Sequence, residues 1–572
     1  MRKPDTIAYW LGDRLPARLA LGLAVQQVAF LGALLVISNL FVQSHSDQIE
    51  RLQFLDIAAA ALIVMAASLV LQSWSRFGIG SGYFYPLQST TAVLPAVMLA
   101  TRSGGLTAAY GMIFVVALTQ ILCSFLIIRL RSIFTVEIAG LAVLLIGIGL
   151  GQAGLSVVFN AAPDGAAPAP AGYGVAALTF ATMVAINVWS RSRLRLFAPL
   201  VGLLAGALAG WAAGLVAAPD QELFWQAPLF RLPLLPVFGW AFDLHAVLPY
   251  MVTGVMLSIT SMGVQTVAQR FNDADWEQPD LNAMARGLRA EGLAHALAAA
   301  INGLPMAASG GAVSLAASSG VTSRYLAYWT GALLFAIAFL PKLVILSLLL
   351  PNAVTGGLLL YLSTFTALSG LQLIGSRMLD NRRILAIGSG LILGMTFDRI
   401  HPALEKLWPA ADSAAFSGMS LGLLTAAGLA AIFRLGVHRR ASRSFAVSEL
   451  TLDEFTAFME QQGKLWGARH DAVRRAEHAS WQALDMLLGG FIDPAVPAIE
   501  LSTRFDEYSL TVTFTYQGEV PPVTGTRPTP EELIEDESAG ARLTGFLLGR
   551  LAETVRSRRN GAECVLQLTF RN

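Results

Sequence analysis

From Leu19 to about residue 435 the chain is a succession of apolar runs separated by short polar or basic stretches; IAAAALIVMAASLVL, residues 57–71, is typical. Backbone in hydrocarbon finds no water to bond, so such a sequence is restricted to helices or to irregular stretches buried inside protein. Only 13% of the 572 residues are charged, against about 25% in ordinary soluble domains. The chain is therefore read as a polytopic membrane protein.

Apolar segments are read at 19–42, 54–73, 85–100, 107–128, 133–154, 171–189, 197–217, 244–267, 288–304, 309–319, 326–349, 352–375, 383–397 and 415–435. Several fall short of the roughly 20 residues of a full helical crossing. No cleaved leader is needed to explain the first. Basic residues mark the cytoplasmic side. Arg129 with Arg131, Arg191, Arg193 and Arg195, Arg270 with Arg286 and Arg289, Arg377 with Arg382 and Arg383, and His438 with Arg439 and Arg440 fall on one side if both termini are cytoplasmic. The outer side then holds the Ala/Pro stretch 160–172 and the segment 218–243. Phe224, Trp225, Phe230, Phe238, Trp240 and Phe242 of that segment read as an interfacial aromatic belt or, alternatively, as a lid. The expected location is the cell inner membrane, with the bilayer itself as one partner.

The two cysteines, Cys123 in an apolar run and Cys564 in the polar tail, argue against a disulfide framework. Half of all Asp and Glu lie after residue 440, which divides the chain into a membrane-embedded domain, 1–440, and an α/β domain, 441–572.

Two stretches interrupt the apolar pattern with helix-breaking residues: 78–95, GIGSGYFYPLQSTTAVLP, and 302–320, which includes PMAASGGAVSLAASSG. Placed one in each half, they suit a repeated transporter whose broken helices surround a ligand. A half-helix N-terminus offers free N–H groups and a positive dipole end. Thr90 and Thr91 in the first break, and Ser309, Gly310, Gly311 and Ser314 in the second, are therefore candidate substrate-binding positions. The competing reading is that the glycines permit close packing and the hydroxyls bond backbone carbonyls. Residues 251–267 carry no ionisable group, and Gln265 and Thr260 are the candidates for an opposing wall. Gln265 can donate and accept toward a heterocycle edge, or bond a neighbouring helix. His295 and Asn302 read as polar helix contacts, and Lys342 as a snorkelling interface residue.

Three stretches carry a resemblance to the xanthine/uracil permease (nucleobase–ascorbate, nucleobase:cation symporter-2) family. They are YWLGDRLP with LGLAVQQV near the start, the signature 303–324 ending in GVTSR, and PKLVILSLLLPNAVTGGLLLYL after it. Gln26 and Gln27 stand where the family has a Gln–His pair. The resemblance implies about 14 transmembrane segments as 7+7 inverted repeats, with core and gate domains, often as a homodimer. Short strands in segments three and ten meet at a mid-membrane substrate, and protons or sodium drive transport. The family's segment-eight glutamate corresponds to Thr260 here, and the polar partner four positions on to Val264. Gly311 and Ala312 replace the signature's Gln/Glu–Asn, and Ser314 its next glycine. Threonine, glycine and alanine neither grip two ring N–H groups nor take up a coupling proton.

In the tail, residues 450–488 have the spacing of a soluble helix pair. IELSTRF, SLTVTFTY and ECVLQLTF alternate as strands, and a last helix is expected at 539–556. The order resembles the ATPase domain of histidine kinases and anti-sigma-factor kinases. Glu477 matches that family's helix acid, and Gly540 and Leu543 part of its glycine box. Ser480 and Trp481 replace its metal-holding Asn, and Tyr516-Gln517-Gly518 its Asp-x-Gly. A degenerate sensing, dimerising or partner-docking α/β sandwich is expected, with no cofactor, no metal and no nucleic acid. The function expected of the whole is a permease for a nucleobase such as xanthine or uracil, or a related heterocycle, and not an enzyme. The alternative is a receptor that senses a ligand in the carrier-like part and signals through its tail to a cytoplasmic protein.

Overall fold

The computed structural model describes residues 1–35, 51–90, 93–129, 135–159, 170–190, 193–215, 224–276, 278–348, 350–407, 417–433, 440–446, 451–493, 495, 498–505, 509–523, 527–529, 531–536, 539–561 and 563–571. The expected cytoplasmic markers Arg131, Arg191, His438 and Arg439, the stretch 160–169 and residues 218–223 lie outside them. The chain forms two compact units, residues 1–374 with 387–427, and residues 375–386 with 428–572.

The first unit runs α1 (Ala17–Ala33), α2 (Arg51–Trp74), β1 (Leu87–Ser89), α3 (Leu94–Gly111), α4 (Ile113–Leu126), α5 (Val136–Phe159), α6 (Pro170–Trp189) and α7 (Ala198–Ala212). It continues α8 (Val247–Phe271), α9 (Leu281–Ala300), β2 (Met306–Ala308), α10 (Gly310–Ser318), α11 (Arg324–Ile337), α12 (Pro341–Leu348), α13 (Asn352–Ile374) and most of α14 (Asn381–Leu407) and α15 (Gly418–Phe433), whose residues 381–386 and 428–433 count with the second unit. Among the described residues, five helices are long and apolar enough to cross a bilayer, or six if α3 and α4, bent by 57°, are one span. Two packed groups are evident: α4 against α9 with α2 against α11, and α5 along α13 with α6 against α7. Small residues permit the α5–α13 approach. A Cβ on Gly154 or Gly140 would stand 2.9–3.0 Å from backbone oxygens of α13.

Several expected boundaries shift for identifiable reasons. The single span expected at 326–349 is two helices, because Pro341 has no N–H to continue α11. The span expected from 288 begins at Leu281, where Asp280 accepts from the N–H groups of Asn282 and Ala283 at 2.9 and 3.0 Å. That cap contributes about 1 kcal/mol, and it puts Arg286, Arg289 and Glu291 inside α9. The span expected at 85–100 is a strand followed by a helix with Pro95 in its first turn.

The two broken stretches meet. β1 and β2 pair antiparallel, Leu87 with Ala308, Gln88 with Ala307 and Ser89 with Met306. Three-residue strands can exist here because each supplies the other's backbone partners, away from lipid. The family-like N-terminal and signature motifs also join each other. Ala8 N–H donates to Gly320 O at 2.7 Å, Thr322 N–H to Tyr9 O at 2.9 Å and Arg324 N–H to Leu11 O at 3.1 Å.

Residues 224–243 are fastened to helix ends. Asp56 near the start of α2 receives Arg231 at 2.9 Å and Leu234 N–H at 3.0 Å. Trp240 donates to Ala299 O at 2.8 Å, and Phe238 N–H to Asn302 Oδ1 at 2.5 Å. Trp225, Phe230 and Phe242 remain exposed.

The second unit holds an antiparallel sheet ordered β3-β4-β5-β7-β6, from β3 (Arg440–Ala446), β4 (Ala498–Phe505), β5 (Ser509–Gln517), β6 (Thr554–Asn560) and β7 (Glu563–Arg571). Its helices are α16 (Leu452–Trp466), α17 (His470–Leu488), the short α18 (Glu532–Glu535) and α19 (Ala539–Leu551). Strict alternation of buried and accessible residues along β4, β5 and β7 puts Val512, Phe514, Leu566 and Leu568 under α17 and Leu501 in the same core. The helix expected through 556 stops at Leu551. From Thr554 the chain is an edge strand whose arginines alternate out to solvent, as edges usually carry charge. β3 went unread because RASRSFA has too little apolar content to announce a strand. The turn 375–386 between α13 and α14 belongs to this unit. Met378 is buried in its core, Met378 N–H donates to Ala468 O at 2.9 Å, and Arg383 donates to Trp466 O at 2.5 Å.

Candidate functional site

The paired strands present the ends of two helices. Ser309 caps α10: its hydroxyl accepts from Ala312 N–H at 3.1 Å and donates to Gln88 Oε1 at 2.6 Å, tying the second break to the first. Gln27 of α1 donates to Ala312 O at 3.2 Å, and Gln26 to the hydroxyl of Ser319 at 3.1 Å, so the Gln–Gln pair holds both ends of α10. Thr90 follows β1 and is half-buried, while Thr91 lies outside the described residues.

The glycines of α10 are close-packing positions. A Cβ on Gly310 would stand 3.1 Å from Thr366 Cγ2, and one on Gly311 would stand 2.8 Å from the Phe30 ring. Where the resemblance places an amide or acid, this chain has an aromatic ring filling the space. Ser314, one turn further along, is different. Its hydroxyl is buried without a hydrogen-bond partner and lines a cavity of about 550 Å³, with Ser318, Asn187, Arg195, Arg270 and Gln372. A buried hydroxyl left unpaired costs about 1–3 kcal/mol.

Thr260 and Gln265 occupy a different place. Both are fully buried in α8. Thr260 points its hydroxyl at Met256 Sδ, 3.7 Å away, and Gln265 donates to Ser261 Oγ at 3.0 Å. Neither lines the cavity.

Gln265 instead leads to a group that the sequence reading passed over. Glu291, in the middle of α9, is 1% exposed. Ser261 Oγ donates to its Oε1 at 2.5 Å and Gln120 Nε2 to its Oε2 at 2.9 Å. Ser261 in turn receives Tyr85 OH at 2.8 Å. Gln120 Oε1 lies 2.5 Å from His295 Nδ1, and His295 Nε2 lies 3.0 Å from both the nitrogen and the oxygen of Met306, the first residue of β2. Among the described residues Glu291 makes no ion pair, so hydroxyls and an amide alone serve the carboxyl. The signal was available: Glu291 and His295 are four apart on one helix face. Both fall inside the apolar segment read at 288–304, where His295 was read as a polar helix contact and Glu291 was not singled out.

In the tail, the positions compared with an ATPase have structural partners. Glu477 accepts from Thr456 at 2.8 Å, Trp481 packs on Phe455, and Tyr516, buried, donates to Glu519 O at 2.8 Å.

The sequence profile of xanthine/uracil permeases, described as Permease family, matches residues 19–402. Uric acid permease PucK of Bacillus subtilis is 28% identical over 425 residues, 72% of this chain and 95% of that protein. Nucleobase transporter PlUacP of Paenibacillus larvae is 27% identical, covering 75% and 98%. Xanthine permease XanP of Escherichia coli is 23% identical, covering 75% and 94%. The matched span contains both broken stretches, the cavity-lining Ser314 and the buried Glu291. The chain belongs to the xanthine/uracil permease family, and is a secondary transporter of a small polar solute rather than a catalyst.

Proposed function

We propose that the chain carries a nucleobase or related heterocycle across the inner membrane, as a homodimer with cytoplasmic termini, in symport with a proton held on Glu291. The observation that carries this reading is the conjunction of the paired strands, an unpartnered Ser314 hydroxyl in a cavity of mixed polar and apolar lining, and a buried carboxyl bonded through Gln120 and His295 to β2. Element order supports a 7+7 repeat: α1, α2, β1–α3, α4, α5, α6 and α7 correspond in turn to α8, α9, β2–α10, α11, α13, α14 and α15, with α12 leading into α13. The two packed groups of helices correspond to a core and a gate, which alternating access moves against each other. Substrate contacts come from Thr90, Thr91, Ser309, Ser314 and the backbone at Gly310, because Thr260 and Gly311 supply no carboxylate. The donors around Glu291, the Ser261 hydroxyl and the Gln120 amide, can each turn to serve a carboxyl with or without a proton, which suits a proton carrier.

Uptake of radiolabelled uric acid, xanthine and uracil into proteoliposomes tests this, under a pH gradient, a sodium gradient or neither. Saturable uptake accelerated by the pH gradient alone is expected. No saturable flux of any of the three sinks the nucleobase reading, and acceleration by sodium alone sinks the proton.

A second reading is favoured by the turn 375–386, which joins two helices of the permease region yet has its core residue Met378 in the tail unit. The tail, a degenerate kinase-type sandwich in this reading, then senses a ligand or a cytoplasmic protein and acts on the gate. Ligand binding without flux, together with a partner held by the tail, supports it.

A further inference from the structure

The bonds between Glu291 and β2 have a direction. Gln120 donates through Nε2 to the Glu291 carboxylate, so its Oε1 faces Nδ1 of His295. Two acceptors cannot face each other at 2.5 Å, so Nδ1 carries the ring proton, an orientation fixed by the hydrogen-bond network. Nε2 is then bare and accepts from Met306 N–H at 3.0 Å. The opposite arrangement is equally complete. With a proton on Glu291 Oε2, that O–H donates to Gln120 Oε1 once the amide turns over. Gln120 Nε2 donates to a bare Nδ1, and Nε2–H of His295 donates to the Met306 carbonyl. Because Nε2 lies 3.0 Å from both the Met306 nitrogen and its oxygen, the ring needs little travel to exchange one bond for the other. One proton from solvent ends on Glu291, and the ring trades its Nδ1 proton for one on Nε2 with no net gain. On the other carboxyl oxygen, Gln265 donates through Nε2 to Ser261, and its Oε1, buried without a partner, offers Ser261 an alternative acceptor once that amide turns over.

We propose that Gln120 and His295 are positioning residues that pass the protonation state of Glu291 to strand β2, and through β2 to Ser309 and the first turn of α10. The inference rests on the reading that Glu291 carries the coupling proton. Met306 is three residues before Ser309 and pairs with Ser89, so exchanging its N–H bond for a carbonyl bond alters the strand that sets both broken ends.

The surroundings leave few other groups able to act on Glu291. Tyr85 faces it from the segment before β1, Gln120 and Ser261 complete its side-chain contacts, and His295 reaches it through Gln120. On the helices packed against α9, Cys123 of α4 engages Ser258, Asp56 of α2 is paired with Arg231, and Tyr250 of α8 donates to Ala109 O. Tyr110 of α3 stacks on Phe238, Arg102 of α3 is exposed, and Arg270 of α8 lines the cavity.

The test is the tautomer of His295, read by solid-state 15N NMR on the histidine-labelled full chain in lipid bilayers. Its signal, one of seven histidines, is identified by loss in His295→Asn. The wild-type ring should carry its proton on Nδ1 at high pH and on Nε2 at low pH, while Glu291→Gln, which donates permanently to Gln120, should show the Nε2 form at every pH. In uptake, one linked proton lets KM change by at most roughly tenfold per pH unit. Gln120→Leu should flatten that dependence to under about twofold. A tautomer that stays on Nδ1 in wild type and in Glu291→Gln, with flux still driven by a pH gradient, overturns the relay alone. Flux indifferent to the pH gradient overturns the reading on which the relay rests.

Discussion

Replacing Ser314 by alanine should raise the stability of the empty protein while weakening its substrate. The Ser314 hydroxyl is buried, lines the 550 Å³ cavity and has no hydrogen-bond partner in the empty protein. Removing an unpaired buried hydroxyl relieves about 1–3 kcal/mol of desolvation cost, and alanine adds its own helix preference on α10. When substrate fills the cavity, the same hydroxyl gains a partner, a bond worth about 0.5–1.5 kcal/mol net, or two- to tenfold in affinity. Thermal melting in detergent and equilibrium binding of labelled substrate, measured on wild type and Ser314→Ala, should therefore move in opposite directions. Ser318→Ala is the control, because that hydroxyl already donates to Leu315 O at 2.9 Å. A variant that loses stability while binding substrate as tightly as wild type refutes the reasoning, since Ser314 would then be an ordinary packing residue.

Gly311→Ala pushes a methyl group into Phe30 and should destabilise the protein by about 1–3 kcal/mol; pairing it with Phe30→Leu should recover most of the loss in a thermal melt. Met378→Ala should cost the tail unit about 2–5 kcal/mol by leaving a cavity, seen as a lower denaturation midpoint by fluorescence of Trp466, which stacks on Phe505. Asp243, at the start of the turn into α8, has its carboxyl held below the ordinary range by the Ser103 hydroxyl and then by His245 N–H. Its folded pKa is depressed, so its contribution is present above pH about 4 and is lost as pH falls through the folded value. Asp243→Asn should remove that part of the acid sensitivity, measured by melting across pH 2–5, and a melt that keeps the same acid dependence contradicts the assignment.

The fold was legible wherever a motif combined composition with a required backbone state. The two breaks were visible because Gly, Pro, Ser and Thr interrupt apolar runs, and their pairing follows from backbone that lipid cannot satisfy. The tail strands β4, β5 and β7 were visible through strict alternation, whereas β3 and β6 were hidden because their arginines and serines carry no apolar face. Glu291 was hidden differently. It falls inside the apolar segment read at 288–304, but ligand chemistry was sought at the two breaks and in 251–267, and only its bonds to Gln120 and Ser261 from other helices mark the carboxyl out. Gln265 looked like a ligand group because an amide in an apolar helix needs partners, and its Nε2 has one in Ser261. That Gly311 is closed by Phe30 could not be read at all, since the contact joins residues 281 positions apart.

Glu291 is the group proposed to couple proton to solute. Uptake of labelled uric acid, xanthine or uracil into proteoliposomes with an acidic exterior, comparing wild type with Glu291→Gln, addresses it directly. Wild type should accumulate the solute above its outside concentration, and Glu291→Gln should only equilibrate it while still exchanging label across the membrane. Accumulation by Glu291→Gln equal to that of wild type would contradict the account.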